Sequence, residues 1–179
     1  MIRPPTPPLT GVILAGGQSR RMGRDKASLR TGSGVDFLDR ARQTLRAAGV
    51  EAIRVLGRPE VHGGVADVAP GGGPGRALAH FFTESSGAVV AMPLDMPLLT
   101  AAMLRFLLAD GGSAHFAGQP LPAVLRGARG DLAACVRVDE ILAEVGARAI
   151  PIPKPWRARL LNVNAAADYT AYRHWEDRR

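Results

Sequence analysis

Cysteine, aromatic residues and long apolar runs are all scarce in this chain, and each scarcity removes a class of protein. One cysteine among 179 residues, Cys135, excludes an internal disulfide framework and fits a reducing cytoplasm. It stands in Asp131-Leu132-Ala133-Ala134-Cys135-Val136, which reads as helix, so buried filler is expected there and not a nucleophile. No apolar stretch approaches the roughly 20 residues that span a bilayer, so no membrane partner is expected. Aromatics make up 5% of the chain, too few for the ring-lined surfaces on which single-stranded nucleic acid stacks. The basic excess, 23 Lys and Arg against 16 Asp and Glu, is scattered and forms no stripe, which argues against nucleic acid as the partner. His62, His80, His115 and His174 lack metal-ligand spacing, and no Ser–His–Asp arrangement is legible.

What remains is ordinary globular composition, 46% hydrophobic and 22% charged, at a length suited to one domain with a substantial core. Residues 1–9 are proline-rich without an apolar signal core and read as a flexible leader to a single domain over 10–179. Strand-like runs at 11–14, 52–56, 65–68, 88–93, 113–117, 121–125, 149–152 and 160–163 alternate with helical patterns. The helices are expected at 36–48, 76–82, 101–109 with Thr100 as N-cap, 131–145 with a break near Val138, and 165–175. This alternation predicts an α/β domain with a largely parallel sheet.

The most informative stretch is Leu14-Ala15-Gly16-Gly17-Gln18-Ser19-Arg20-Arg21-Met22-Gly23-Arg24-Asp25-Lys26, which follows the first strand. Glycines let backbone N–H groups approach an anion, because no Cβ intervenes. Three arginines and a lysine then bring positive charge to where a polyphosphate would lie. A nucleoside triphosphate site is predicted, although the spacing matches neither the dinucleotide fingerprint nor the P-loop. Asp95 follows the 88–93 strand between Pro93 and Pro97, where one carboxylate beside a triphosphate holds Mg²⁺. Asp67, ahead of a glycine-rich loop, suits either a site carboxylate or an ordinary turn.

The Leu14–Lys26 pattern resembles the signature of the molybdenum cofactor guanylyltransferases, within the wider nucleotidyltransferase group. Pro93-Leu94-Asp95-Met96-Pro97-Leu98-Leu99, Leu161-Asn162-Val163-Asn164 leading to Asp168-Tyr169, and Asp67 with Gly73-Pro74 resemble its later blocks. The resemblance implies a single Rossmann-like three-layer α/β domain of the nucleotide-diphospho-sugar transferase type, with a mostly parallel sheet. It implies transfer of GMP from GTP to the phosphate of molybdopterin, with release of pyrophosphate and a requirement for Mg²⁺. By position, Leu14, Ala15, Gly16 and Gly17 would contact the nucleotide, Lys26 its phosphates, and Asp67 would lie beside it. Arg21, Lys26 and Asp95 would be catalytic, Asp95 would hold the metal, and Asn162 and Asn164 would face the acceptor.

Three departures bear on specificity. Val55-Leu56-Gly57-Arg58 stands where the family often carries asparagines, Gly75-Arg76-Ala77 follows Gly73-Pro74, and the chain is short between Asp110 and Pro120. Use of CTP, a sugar-phosphate acceptor, or a non-catalytic cofactor-binding paralogue are the alternatives. The expected setting is a cytoplasmic monomer, with molybdopterin-synthesis proteins or molybdoenzymes as its protein partners.

Overall fold

Two strands buried on both faces organise the domain. In the computed structural model, which describes residues 8–16, 26–68, 71–127 and 132–178, β1 (Leu9–Leu14) and β4 (Ala88–Pro93) pair in parallel at its centre. Val12 and Leu14 of β1 point to one apolar cluster, while Ile13 and the following Ala15 point to the other. Val89 and Ala91 of β4 alternate with Val90 and Met92 in the same way. A near-continuous apolar run is what a strand covered on both sides requires.

The remaining elements are α1 (Phe37–Ala47), β2 (Ala52–Leu56), β3 (Gly64–Val65), α2 (Gly73–Glu84), α3 (Ala101–Leu108), β5 (Ala114–Phe116), β6 (Ala123–Leu125), α4 (Val138–Glu144), β7 (Arg148–Ile150) and α5 (Ala166–Glu176). Among the described residues the strands form one sheet in the order β3-β2-β1-β4-β6-β5-β7. All its pairings are parallel except the two made by β6. Apolar side chains of α1, α3 and α5 pack on one face, and those of α2 and α4 on the other. The three-layer α/β expectation therefore holds. No described helix is long and apolar enough to cross a membrane.

Local chemistry sets the helix starts. Asp36 caps α1 by accepting from the Asp39 N–H at 2.8 Å, and Phe37, Leu38, Ala41 and Leu45 then form its buried face. Thr100 caps α3, as expected, accepting from the Met103 N–H at 3.4 Å. Helix α2 begins three residues before the expected 76, because Pro74 pre-sets the first helical turn.

Other expectations need correction. Of the helical region expected over 131–145, the described part before the expected break near Val138 is turn, and α4 is regular from Val138. The Glu140 carboxylate accepts from the Val136 and Arg137 N–H groups at 2.7 and 3.0 Å, which fixes the start of α4 there. Cys135 is buried as expected but sits in the preceding turn, its N–H donating to the Leu132 carbonyl. Residues 160–163 form no strand. Leu160 ends a 3-10 turn (Lys154–Leu160), and both Leu160 and Val163 are buried, which accounts for their strand-like apolar pattern. The 65–68 strand shrinks to Gly64–Val65, and Leu9, assigned to the leader, already belongs to β1.

Phe37 joins α1 to α5 through an edge contact with the fully buried Tyr172, ring centroids 5.4 Å apart. Burial and the Glu176 carboxylate raise the Tyr172 pKa, so its hydroxyl stays neutral across the ordinary pH range. Phe37→Ala is expected to lower stability by about 3–5 kcal/mol in urea unfolding, as removal of a core aromatic does.

Candidate active site

The chain leaves β1 for β2 on one side, while β4 pairs with β1 on the other. Such a divergence opens a crevice beyond the carboxyl ends of the two strands, where α/β sheets bind ligands. Its floor is fixed by the backbone. The Ala15 N–H donates to the Leu56 carbonyl and the Leu94 N–H to the Leu14 carbonyl, both at 3.2 Å. Gly57, with φ of +82°, comes so close that a Cβ there would meet the Gly16 Cα at 2.5 Å. Glycine is required at 57 by both conformation and space.

The crevice is a cleft of about 330 Å³. Leu14, Ala15, Gly16, Lys26, Asp95 and Asn162 line it, so six of the expected site residues converge. Lys26 opens the short 3-10 turn Lys26–Ser28. Its ammonium donates to Asn164 Oδ1 at 2.6 Å and to Asp95 Oδ2 at 3.3 Å, which brings Asn164 into the same cluster. Both charged side chains are about one-fifth exposed, 19% for Lys26 and 21% for Asp95, so their pairing is shielded but reachable from solvent. Asp67 is half-buried two residues past β3 and does not line the cleft. Gly17 and Arg21 lie outside the described residues.

Supporting contacts hold the cluster in place. The Val163 N–H donates to the Asp95 carbonyl at 2.8 Å, joining the loop before α5 to the loop after β4. Asp168 accepts from the Asn164 and Ala165 N–H groups at 2.9 and 2.8 Å, capping α5 and fixing the backbone that carries Asn164. The Tyr169 hydroxyl donates to the Arg30 carbonyl at 2.6 Å, tying α5 to the segment that follows Lys26. Asp168 and Tyr169 belong to a recognisable sequence block, but their positioning role was not read from it. The spacing of Asp168 from Ala165, a capping-box interval, carries that signal. Pro74 and Met96, which stand in the recognised blocks but were given no role there, also line the cleft, as do Gln119, Pro120 and Leu121, which were not assigned to the site.

Asp95 offers a carboxylate, Asn162 and Asn164 offer amide oxygens, and the Lys26 ammonium already places positive charge on Asp95. Among the described residues no group of three His, Cys, Asp or Glu side chains could cage a metal alone. One carboxylate with hard oxygen neighbours suits Mg²⁺, which completes its shell with water and substrate phosphates.

The fold and this crevice cluster place the molecule in the nucleotidyltransferase class of α/β domains. Residues 11–152 match the MobA-like NTP transferase domain, and the chain belongs to that family. It is 44% identical over 125 residues to the molybdenum cofactor guanylyltransferase of Xanthomonas euvesicatoria pv. vesicatoria. That match covers 66% of this chain and 65% of the relative, just under two thirds of its length. A probable molybdenum cofactor guanylyltransferase of Opitutus terrae is 32% identical over 187 residues, covering 89% and 92% of the two chains. Among solved structures, Rv0371c from Mycobacterium tuberculosis H37Rv superposes with a TM-score of 0.69 at 21% identity, over 94% of this chain and 98% of that one. The same protein is known as a manganese complex, with a TM-score of 0.63 at 19% identity over 94% and 99% of the chains.

The contact between Gly57 and Gly16 can be tested directly. Gly57→Ala is expected to cost roughly 1–3 kcal/mol in urea unfolding, since it forces a side chain into a positive-φ site against backbone.

Proposed function

We propose that this protein transfers GMP from GTP to the phosphate of molybdopterin, releasing pyrophosphate and forming the guanine dinucleotide form of the molybdenum cofactor. The observation that carries the reading is the meeting of Lys26, Asp95 and Asn164 over the ends of β1 and β4. Lys26 lies 69 residues from Asp95 and 138 from Asn164 in sequence. The names of the relatives, molybdenum cofactor guanylyltransferases, support a guanylyl group as the one transferred and the molybdenum cofactor as the product class.

Attack of one phosphate on another is opposed by charge, because both partners are anions. A positioned ammonium reduces that opposition where it counts, at the oxygens that gain charge in the transition state. Lys26 would serve this role, exchanging its Asp95 contact for a phosphate oxygen, an anionic partner of the same kind. The acceptor phosphate is already ionised near neutral pH, so no general base is needed. No covalent intermediate is needed either, which suits a cleft without a cysteine or an activated serine among its described lining residues. Backbone groups of Leu14, Ala15 and Gly16 would contact the nucleotide, and Asn162 and Asn164 would face the acceptor. Asp95, with the neighbouring amide oxygens, would hold Mg²⁺; a structural relative is known in complex with manganese. Bound there, the ion would supply further neutralisation of phosphate charge. The single cysteine, unable to form an internal disulfide, supports a cytoplasmic setting.

Incubation of the protein with molybdopterin and each nucleoside triphosphate in turn, following pyrophosphate, tests the assignment. Turnover is expected with GTP, and equal turnover with CTP would reject guanine as the base. Lys26→Ala and Asp95→Asn are each expected to lower kcat/KM about 100- to 1,000-fold, as loss of one charge-stabilising group does elsewhere. Unchanged transfer by Lys26→Ala would remove the basis of the proposal.

A further inference from the structure

The nucleotide contacts proposed above occupy only one side of the cleft. Leu14, Ala15 and Gly16 lie at the end of β1, whereas β6 pairs with β4 on the opposite side. Because β6 runs antiparallel to β4, with Ala123 opposite Ala91, the segment entering β6 passes beside the exit of β4. Gln119, Pro120 and Leu121 form that wall, next to Met96. The Gln119 backbone is pinned twice. Its N–H donates to the Phe116 carbonyl at 2.9 Å, and its own carbonyl lies 2.9 Å from His115 Nδ1. Gln119 is half-buried, and its carboxamide makes no hydrogen bond among the described residues.

We infer that Gln119 is a specificity-determining residue that reads the flat heterocycle of the acceptor while Pro120, Leu121 and Met96 cover its face. This rests on the proposed reaction and assigns the acceptor half of the same cleft. A carboxamide offers an acceptor and a donor side by side, and a lactam edge such as that of a pterin presents the complementary pair. A sugar ring has neither that paired edge nor a flat face to lie against proline and leucine. The pinned backbone holds the wall in place before the ligand arrives, which lowers the cost of ordering it.

The test uses the phosphate ester of hydroxymethylpterin, whose own fluorescence reports binding, with and without saturating GDP and magnesium. Glucose 1-phosphate serves as a competitor that carries a phosphate without the heterocycle. Gln119→Met keeps the side-chain volume and removes both polar atoms, and Gln119→Asn restores the carboxamide on a shorter stem. The wild type is expected to bind the pterin phosphate at least tenfold more tightly than glucose 1-phosphate. Gln119→Met should weaken the pterin ester about tenfold, the size of one lost hydrogen-bonded pair, and leave glucose 1-phosphate and GTP affinities unchanged. Partial recovery in Gln119→Asn would support direct recognition. Equal wild-type binding of the two phosphates, no change in Gln119→Met, or parallel loss of GTP and pterin binding would each overturn the inference. Failure of the guanylyl-transfer reading is read separately, from pyrophosphate release with GTP.

Discussion

The site is organised around one ammonium shared by two oxygen acceptors that reach it from distant parts of the chain. Lys26 holds Asp95 from the loop after β4 and Asn164 from the loop before α5. Neither contact is local, so the cluster exists only when β1 and β4 are paired and α5 is docked. The Val163–Asp95 backbone bond, the Asp168 cap and the Tyr169–Arg30 bond each remove a way for that docking to loosen. An ion pair that solvent can still reach is worth little by itself. Its value here is positional: it keeps a cation and a carboxylate together beyond the carboxyl ends of β1 and β4.

The departure at Val55-Leu56-Gly57-Arg58 finds a physical reason in the structure. Val55 and Leu56 are buried in the two apolar clusters, and Gly57 must pass within contact of Gly16. An asparagine at 57 would need a strained backbone and would displace the glycine turn. The loop after β2 therefore shapes the crevice floor with backbone: Leu56 is buried and Gly57 has no side chain.

Elements with local chemistry were legible before any coordinates. Helix α1 was expected over 36–48, and the structure places it at Phe37–Ala47 with Asp36 as its cap. Strands β1 and β4 are apolar enough to be buried on both faces and nothing else. The segments read wrongly are those whose apolar residues serve a turn. Leu132 and Cys135 bury themselves ahead of α4, and Leu160 and Val163 pack beneath the crevice without joining the sheet. Burial alone gives both kinds of segment the same hydrophobic pattern, and only the partners of their backbone groups tell them apart.

By itself, the sequence determined the α/β class, the order of most elements and the residues around which the site is built, because caps, periodicity and glycine turns are short-range chemistry. Tertiary structure decided which of those residues meet. It brought Asn164 onto Lys26, left Asp67 outside the cleft lining, and placed Gln119 on the wall opposite the glycine turn. The reason is topological: strand order fixes which loops share one end of the sheet, and no local pattern encodes the order in which strands pair.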